Sequence, residues 1–293
     1  MKRLFAMMCL AGALAGPSLA QELRVMSFNV RYPNEQDGAN YWDHRRDIAV
    51  RVVLSRDPDI FGTQELFRRQ GDELARELPE YKWFGRSRRG NDTDEHMGVF
   101  YKPGVLELIE EGDFWLSETP EKAGSISWDM SLPRMVTWGL FRWRSGGGRF
   151  YFLNTHFPHR REDAAARVRC AEVIVKFLAT LPAEIPVVMT GDFNDPAGEK
   201  AHRLLTGQMR DAWDVSPGRS GPVGTFHGFS GEPRAAQRID WILHRGPWRA
   251  LLAETVTYAE DGRYPSDHFP VFAVFRLARQ AATRRQAACR ETP

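Results

Sequence analysis

Residues 186–196 read Pro-Val-Val-Met-Thr-Gly-Asp-Phe-Asn-Asp-Pro. A short apolar, β-branched run meets a glycine and then an acidic, amide-rich turn. Such a run bounded by turn formers predicts a strand. Asp192 and Asn194 stand at its end, where a rigid scaffold presents chemistry. Alone, residues 192–196 are equally a turn and helix cap. The same pattern recurs, however. Residues 23–28 end in Asn29, 58–64 in Glu65 and 150–155 in His156. Arg238-Ile239 leads into Asp240, and Ser266-Asp267-His268 directly precedes Phe269-Pro270-Val271. Singly, these are a turn residue, a helix cap or a core histidine. Six strand-end placements together point to one shared site.

Working outward, strand-like segments occupy residues 23–30, 60–64, 97–101, 135–143, 149–155, 187–191, 239–244 and 271–275. Helical periodicity marks 43–55, 66–78, 162–178 and, after Pro196, 197–205. The third carries Ala164, Val168, Ala171, Val175 and Leu178 on one stripe. Several neighbouring strands have no helical crossover between them, which disfavours a purely parallel sheet. Two sheets packed on each other with helices outside use this pattern well.

The chain begins with Lys2-Arg3, an apolar run over residues 4–15, a Gly16-Pro17 break and Ser18-Leu19-Ala20. This predicts a signal peptide over residues 1–20, cleaved after Ala20. The run is shorter than the roughly 20 apolar residues of a membrane span. Residues 21–277 then form one domain, and 278–293 are a polar, basic tail. The protein is expected to be exported, either periplasmic or secreted. Lys and Arg number 40 against 38 Asp and Glu. A protein that grips duplex nucleic acid usually carries a clear basic excess, so near-neutrality argues against tight nucleic-acid binding. Cys170 and Cys289 follow the leader, and their spacing fits no zinc motif. Nothing in the sequence shows that they pair.

Carboxylates and an amide oxygen suit a hard cation, Mg²⁺ or Mn²⁺. Zinc would want clustered His or Cys ligands. There is no Gly-rich phosphate loop and no serine nucleophile elbow. Separated histidines with carboxylate partners suit phosphoryl chemistry, steadying charge on oxygen or orienting water.

In their order, Ser-Phe-Asn-Val, Thr-Gln-Glu, Asn-Thr-His, Gly-Asp-Phe-Asn-Asp, Arg-Ile-Asp-Trp and Ser-Asp-His-Phe-Pro-Val resemble the endonuclease/exonuclease/phosphatase superfamily. The resemblance implies an α/β, four-layer sandwich of two mixed sheets between helices. It implies a metal-dependent phosphoester hydrolase. No stable protein partner is implied, and a monomer is expected. Its substrate would be a small phosphoester, a lipid head group or a nucleic acid. The implied metal ligands are Asn29, Glu65 and Asp267. Asp192 would activate the attacking water beside Asn194. His268, oriented by Asp240, and His156 would contact the phosphate. Two further positions match: Glu95 as a partner of His156, or else a loop acid, and Arg134 as a phosphate ligand, or else a surface Arg. Near-neutral charge favours a small or exposed phosphoester over DNA or RNA, and a non-catalytic binding module is the third reading. The aromatics of 114–120 and 127–129 are expected in the core, with stacking on a base or sugar as the alternative.

Overall fold

A computed structural model describes residues 21–146 and 148–277. The expected leader, the tail and Cys289 lie outside the described residues. In chain order the elements are β1 (Glu22–Asn29), α1 (Trp42–Arg56), β2 (Ile60–Gln64), α2 (Arg68–Glu77), β3 (Lys82–Phe84), β4 (Val99–Tyr101) and β5 (Leu106–Trp115). There follow β6 (Met135–Trp143), β7 (Arg149–His156), α3 (Ala164–Thr180), β8 (Val187–Asp192), α4 (Lys200–Thr206), β9 (Arg210–Asp211) and α5 (Ala212–Val215). The last are β10 (Gly218–Ser220), β11 (Asp240–Arg245), β12 (Trp248–Thr255) and β13 (Val271–Leu277). One sheet has the order β10-β12-β13-β1-β2-β4-β3, the other β5-β6-β7-β8-β11-β9. Both are mixed: β1 runs parallel to β2 and antiparallel to β13, and β7 runs parallel to β8 while β11 opposes it. This is the four-layer sandwich.

The layers follow from period-two alternation with both sheet faces covered. Val25, Ile60, Phe152, Val188, Ile242 and Phe275 share the core between the sheets. Their neighbours Met26, Phe28 and Phe61 pack with Ala49, Val52 and Leu74 of α1 and α2. Leu153, Met189, Trp241 and Leu243 pack with Cys170, Ile174 and Leu178 of α3. A strand buried on both faces reads as a continuous apolar run, so the alternation is invisible in sequence.

Two long strands were not expected. β5 carries Glu107, Glu110, Glu111 and Asp113 and forms a sheet edge, where charge blunts pairing with other chains. β12 (WRALLAET) is built of good helix formers. Yet it pairs along most of its length with β13, because sheet context overrides weak local preference. The short β3, β9 and β10 were also missed. Phe114 and Trp115 are buried, as expected of core aromatics, and Trp128 is half-buried against the same cluster. Cys170 lies buried in α3. Among the described residues no helix is long and apolar enough to cross a membrane.

Candidate active site

The inward-facing positions change character along the strands. On β1 the series is Val25, Ser27, Asn29; on β7, Phe152, Asn154, His156; on β8, Val188, Thr190, Asp192. The inter-sheet layer is thus apolar in its middle and polar at one end. Below the site the sheets approach closely, and a Cβ on Gly62 would lie 2.2 Å from Thr190 Oγ1. A hydrogen-bonded layer fills the gap: Gln64 Nε2 donates to Asn154 Oδ1 (2.7 Å), and Asn154 Nδ2 donates to Thr63 O (2.7 Å). Buried hydrogen bonds of this kind hold a site rigidly.

Strand register assembles the site. His156 lies opposite Asp192 in the β7–β8 pair, and Asp240 lies opposite Asp192 in the β8–β11 pair. Three candidate residues therefore stand side by side. The Asn194 backbone N–H donates to Asp192 Oδ1 (2.9 Å), closing a tight turn with Asn194 at φ +49°. The expected turn and the expected site are thus the same residues. Asp192 Oδ2 accepts from Asn29 Nδ2 (3.0 Å), with His156 Nε2 at 3.5 Å and His268 Nε2 at 3.8 Å. His268 Nδ1 and Asp240 Oδ2 are 3.0 Å apart.

The two imidazoles are in opposite states. Burial disfavours the charged form of His268, but the carboxylates of Asp240 and Asp192 outweigh it and hold its pKa well above the ordinary range. Burial and the neighbouring Arg134 guanidinium push His156 down to about 3. Burial also takes His227 and His244 to about 4, helped by His268 and Arg210 respectively.

A stability prediction follows from these three neutral histidines. Their folded pKa values lie below the ordinary 6.5, so the unfolded chain binds more protons between about pH 6.5 and 4. Their contribution is complete above pH 6.5 and is lost as pH falls towards 4. His268 has the opposite sign, but its contribution is already complete below pH 6.5. The urea midpoint of the metal-free protein should therefore drop steadily from pH 7 to 4.5, and more shallowly in His244→Phe. A pH-independent midpoint would contradict the buried neutral state.

Glu65 and Asp267 face a common side. Arg31 Nη1 is 3.7 Å from Glu65 Oε2, and its Nε is 3.8 Å from Asp267 Oδ2. Burial raises the Asp267 carboxyl above its usual range, and the Glu65 charge adds to this against His268 and Arg31. Half-buried Glu65 and buried Asp267 thus flank one guanidinium, and carboxylate oxygens of this kind suit a hard divalent cation. Glu65, His156 and Asp192 also form a compact set, with one donor atom each within 4.8 Å of the others. Asn29 bridges carboxylates with its amide nitrogen, 3.1 Å from Glu65 Oε1, while its Oδ1 accepts the Arg31 N–H (2.9 Å).

Arg134 is 3 % exposed, so the surface alternative does not hold. Its Nη2 lies 3.1 Å from His159 Nδ1, while Nε and Nη1 have no partner. Glu95 is likewise buried. Its Oε2 is 3.7 Å from His156 Nδ1, and its hydrogen bond comes from Arg88 (2.7 Å). Arg31, Arg88 and His159 were missed as neighbours of the site. Arg45 was missed too: it sits on α1, 1 % exposed, and donates to the carbonyls of Asn40, Val30, Arg31 and Pro265. It thereby ties the loop after Asn29 to the loop before Asp267. Its place in a helical pattern gave no such signal.

Solved structures of similar proteins share this architecture. An endonuclease/exonuclease/phosphatase family protein from Bacteroides thetaiotaomicron superposes with a TM-score of 0.84 at 32% identity, over 89% of this chain and 100% of that one. A mannosyl-6-phosphatase from the same organism gives 0.80 at 32% identity, over 86% and 99%. Nocturnin of Drosophila melanogaster is 22% identical over 85% of this chain but only 44% of its own length, so this chain spans less than half of that relative. Residues 26–268, from β1 through His268, match the model of the Endonuclease/Exonuclease/phosphatase family, and the chain belongs to that family.

Proposed function

We propose that this chain hydrolyses the phosphomonoester of a small, exposed substrate, with a hexose phosphate as the first candidate. The observation that carries this reading is Arg134. It is a buried guanidinium with two unpartnered nitrogens, next to the His156–Asp192 pair through its charge on His156. A fixed fork of free donors suits phosphoryl oxygens. The mannosyl-6-phosphatase at 32% identity supports the substrate class. In this reading Asp192 takes a proton from water as it attacks phosphorus, the ester P–O bond breaks, and the departing alkoxide takes a proton from solvent water, releasing the alcohol and inorganic phosphate. His268 and His156 steady the charge on oxygen. A divalent ion, Mg²⁺ or Mn²⁺, held by Glu65 and Asp267 with Asn29 beside them, would polarise the phosphoryl group.

The test is phosphate release from mannose 6-phosphate and glucose 6-phosphate. Bis(p-nitrophenyl) phosphate, single-stranded DNA and RNA run in parallel, with EDTA and then with added Mg²⁺ or Mn²⁺. Release from the sugar phosphates, lost in EDTA and restored by the ion, is the expected result. Cleavage of nucleic acid alone would make the chain a nuclease. Turnover indifferent to EDTA would remove the metal from the account.

We also propose that residues 1–20 direct export. N-terminal sequencing of protein from the non-cytoplasmic fraction should begin at Gln21, and an intact Met1 would overturn this.

A further inference from the structure

Arg134 is buried within the field of Glu95, Asp192 and Glu65, yet it hydrogen-bonds none of them. All three reach it only as charges at longer range. Among the described residues its guanidinium has one hydrogen-bond partner: Nη2 donates to His159 Nδ1 (3.1 Å). Arg88 offers the contrast. It is spent on Asp94 (3.0 Å) and Glu95 (2.7 Å), a pairing that cancels its charge. Arg134 is held by an imidazole and keeps its charge.

That imidazole must be neutral. A guanidinium carries N–H donors and no acceptor. The His159 nitrogen facing it therefore holds a lone pair, and the ring proton sits on Nε2. Protonation would set two donors face to face. Partial burial and then the Arg134 charge lower the His159 pKa, against the pull of Asp163, Glu95 and Glu65.

His159 is exposed, but the chain that carries it is pinned on both sides. Before it, Phe157 N donates to Asp192 O (2.9 Å), and Asn194 Nδ2 donates to Phe157 O (3.2 Å). Arg167 Nη1 donates to Pro158 O (3.1 Å) and, beyond His159, to Arg160 O (2.9 Å). Arg167 is itself buried and bound to Asp195 (3.0 Å). The turn 192–195 thus fixes the loop 157–160 as well as the site. A surface histidine on so rigid a segment is in place before any substrate arrives, which is what a preorganised donor next to it requires.

We propose that His159 is a positioning residue for Arg134: as a neutral acceptor it orients the guanidinium without cancelling its charge, which stays available to the substrate's phosphoryl oxygens. This rests on the reading of Arg134 as a phosphate contact. Without the acceptor, the long Arg side chain is free to turn towards Glu95 or Asp192 and pair with it, as Arg88 does with its own carboxylates.

The first measurement is of imidazole nitrogen chemical shifts in histidine-labelled full-length protein, with the His159 signals assigned by their loss in His159→Asn. The Nε2–H tautomer is expected, with a pKa below the ordinary range that rises in Arg134→Met. The second is kcat/KM on mannose 6-phosphate. His159→Ala should lose about tenfold, the scale of one hydrogen bond to a charged group, with the thermal midpoint unchanged. His159→Asn, whose Oδ1 replaces Nδ1 as a neutral acceptor, should recover most of that loss. His159→Asp should not, because its carboxylate pairs with the guanidinium and cancels its charge. In an Arg134→Met background, His159→Ala should cost nothing further. An Nδ1–H tautomer, a pKa indifferent to Arg134→Met, or equal losses in both backgrounds would overturn the proposal. Failure to turn over mannose 6-phosphate would instead sink the substrate reading, and the tautomer and its response to Arg134→Met would still decide whether His159 holds Arg134.

Discussion

Asp192→Asn is expected to lower kcat by about 10³-fold or more, at the upper part of the range for removing a positioned general base. The substitution is nearly isosteric. Its Oδ1 still accepts from the Asn194 backbone N–H, so the turn that shapes the β8 end is kept. What disappears is the acceptor at Oδ2, which collects Asn29 Nδ2, His156 Nε2 and His268 Nε2 within 3.0–3.8 Å. An amide there turns a donor towards donors and cannot take a proton from water. The folded state should lose only about 1–2 kcal/mol, the typical penalty of one mispaired buried group. The decisive readout is kcat and the thermal midpoint measured on the same preparation. Activity within tenfold of the natural protein would remove Asp192 from the proton-transfer role. Collapse of the midpoint would mark it as structural.

Arg134→Met should reduce kcat/KM by about 10²- to 10³-fold, the range for losing one preorganised donor to a developing oxyanion. Its stability should move the other way or not at all. A buried guanidinium with two unpartnered nitrogens is held at a desolvation cost, shown by its pKa being lowered by burial against the pull of Glu95. Replacing such a group with an apolar side chain of similar length is often neutral or stabilising. Loss of activity with an unchanged or higher midpoint is the pattern of a residue kept for function. Arg134→Lys should recover little, because a point charge lacks the planar fork. Full activity in Arg134→Met would show that the guanidinium does not meet the substrate.

Much of this architecture was legible along the chain. Eight strands and four helices fall where apolar runs, periodicity and turn formers placed them. The six sites converge because each lies at or next to one end of a strand, and those ends fall on the same side of the two sheets. Residues that act through a distant partner were not legible. Glu95 and His156 lie 61 positions apart, and nothing local says that Glu95 Oε2 comes within 3.7 Å of His156 Nδ1 while accepting from Arg88. Arg45 looked like one more polar position on a helix, yet four carbonyls from three separate segments close around it.

The division has a physical basis. Turn chemistry, side-chain period and hard oxygen donors are local properties, so the strand–turn grammar and the polar residues at the strand ends could be read from residues and their neighbours. Burial and field are sums over the whole packed molecule. Whether His156 is neutral and His268 charged depends on which carboxylates and guanidinium the sheets bring within a few ångströms, and on how much water they exclude. The same holds for β12, whose helix-forming composition yields to its pairing with β13, and for Arg134, which only the closed sandwich removes from the surface.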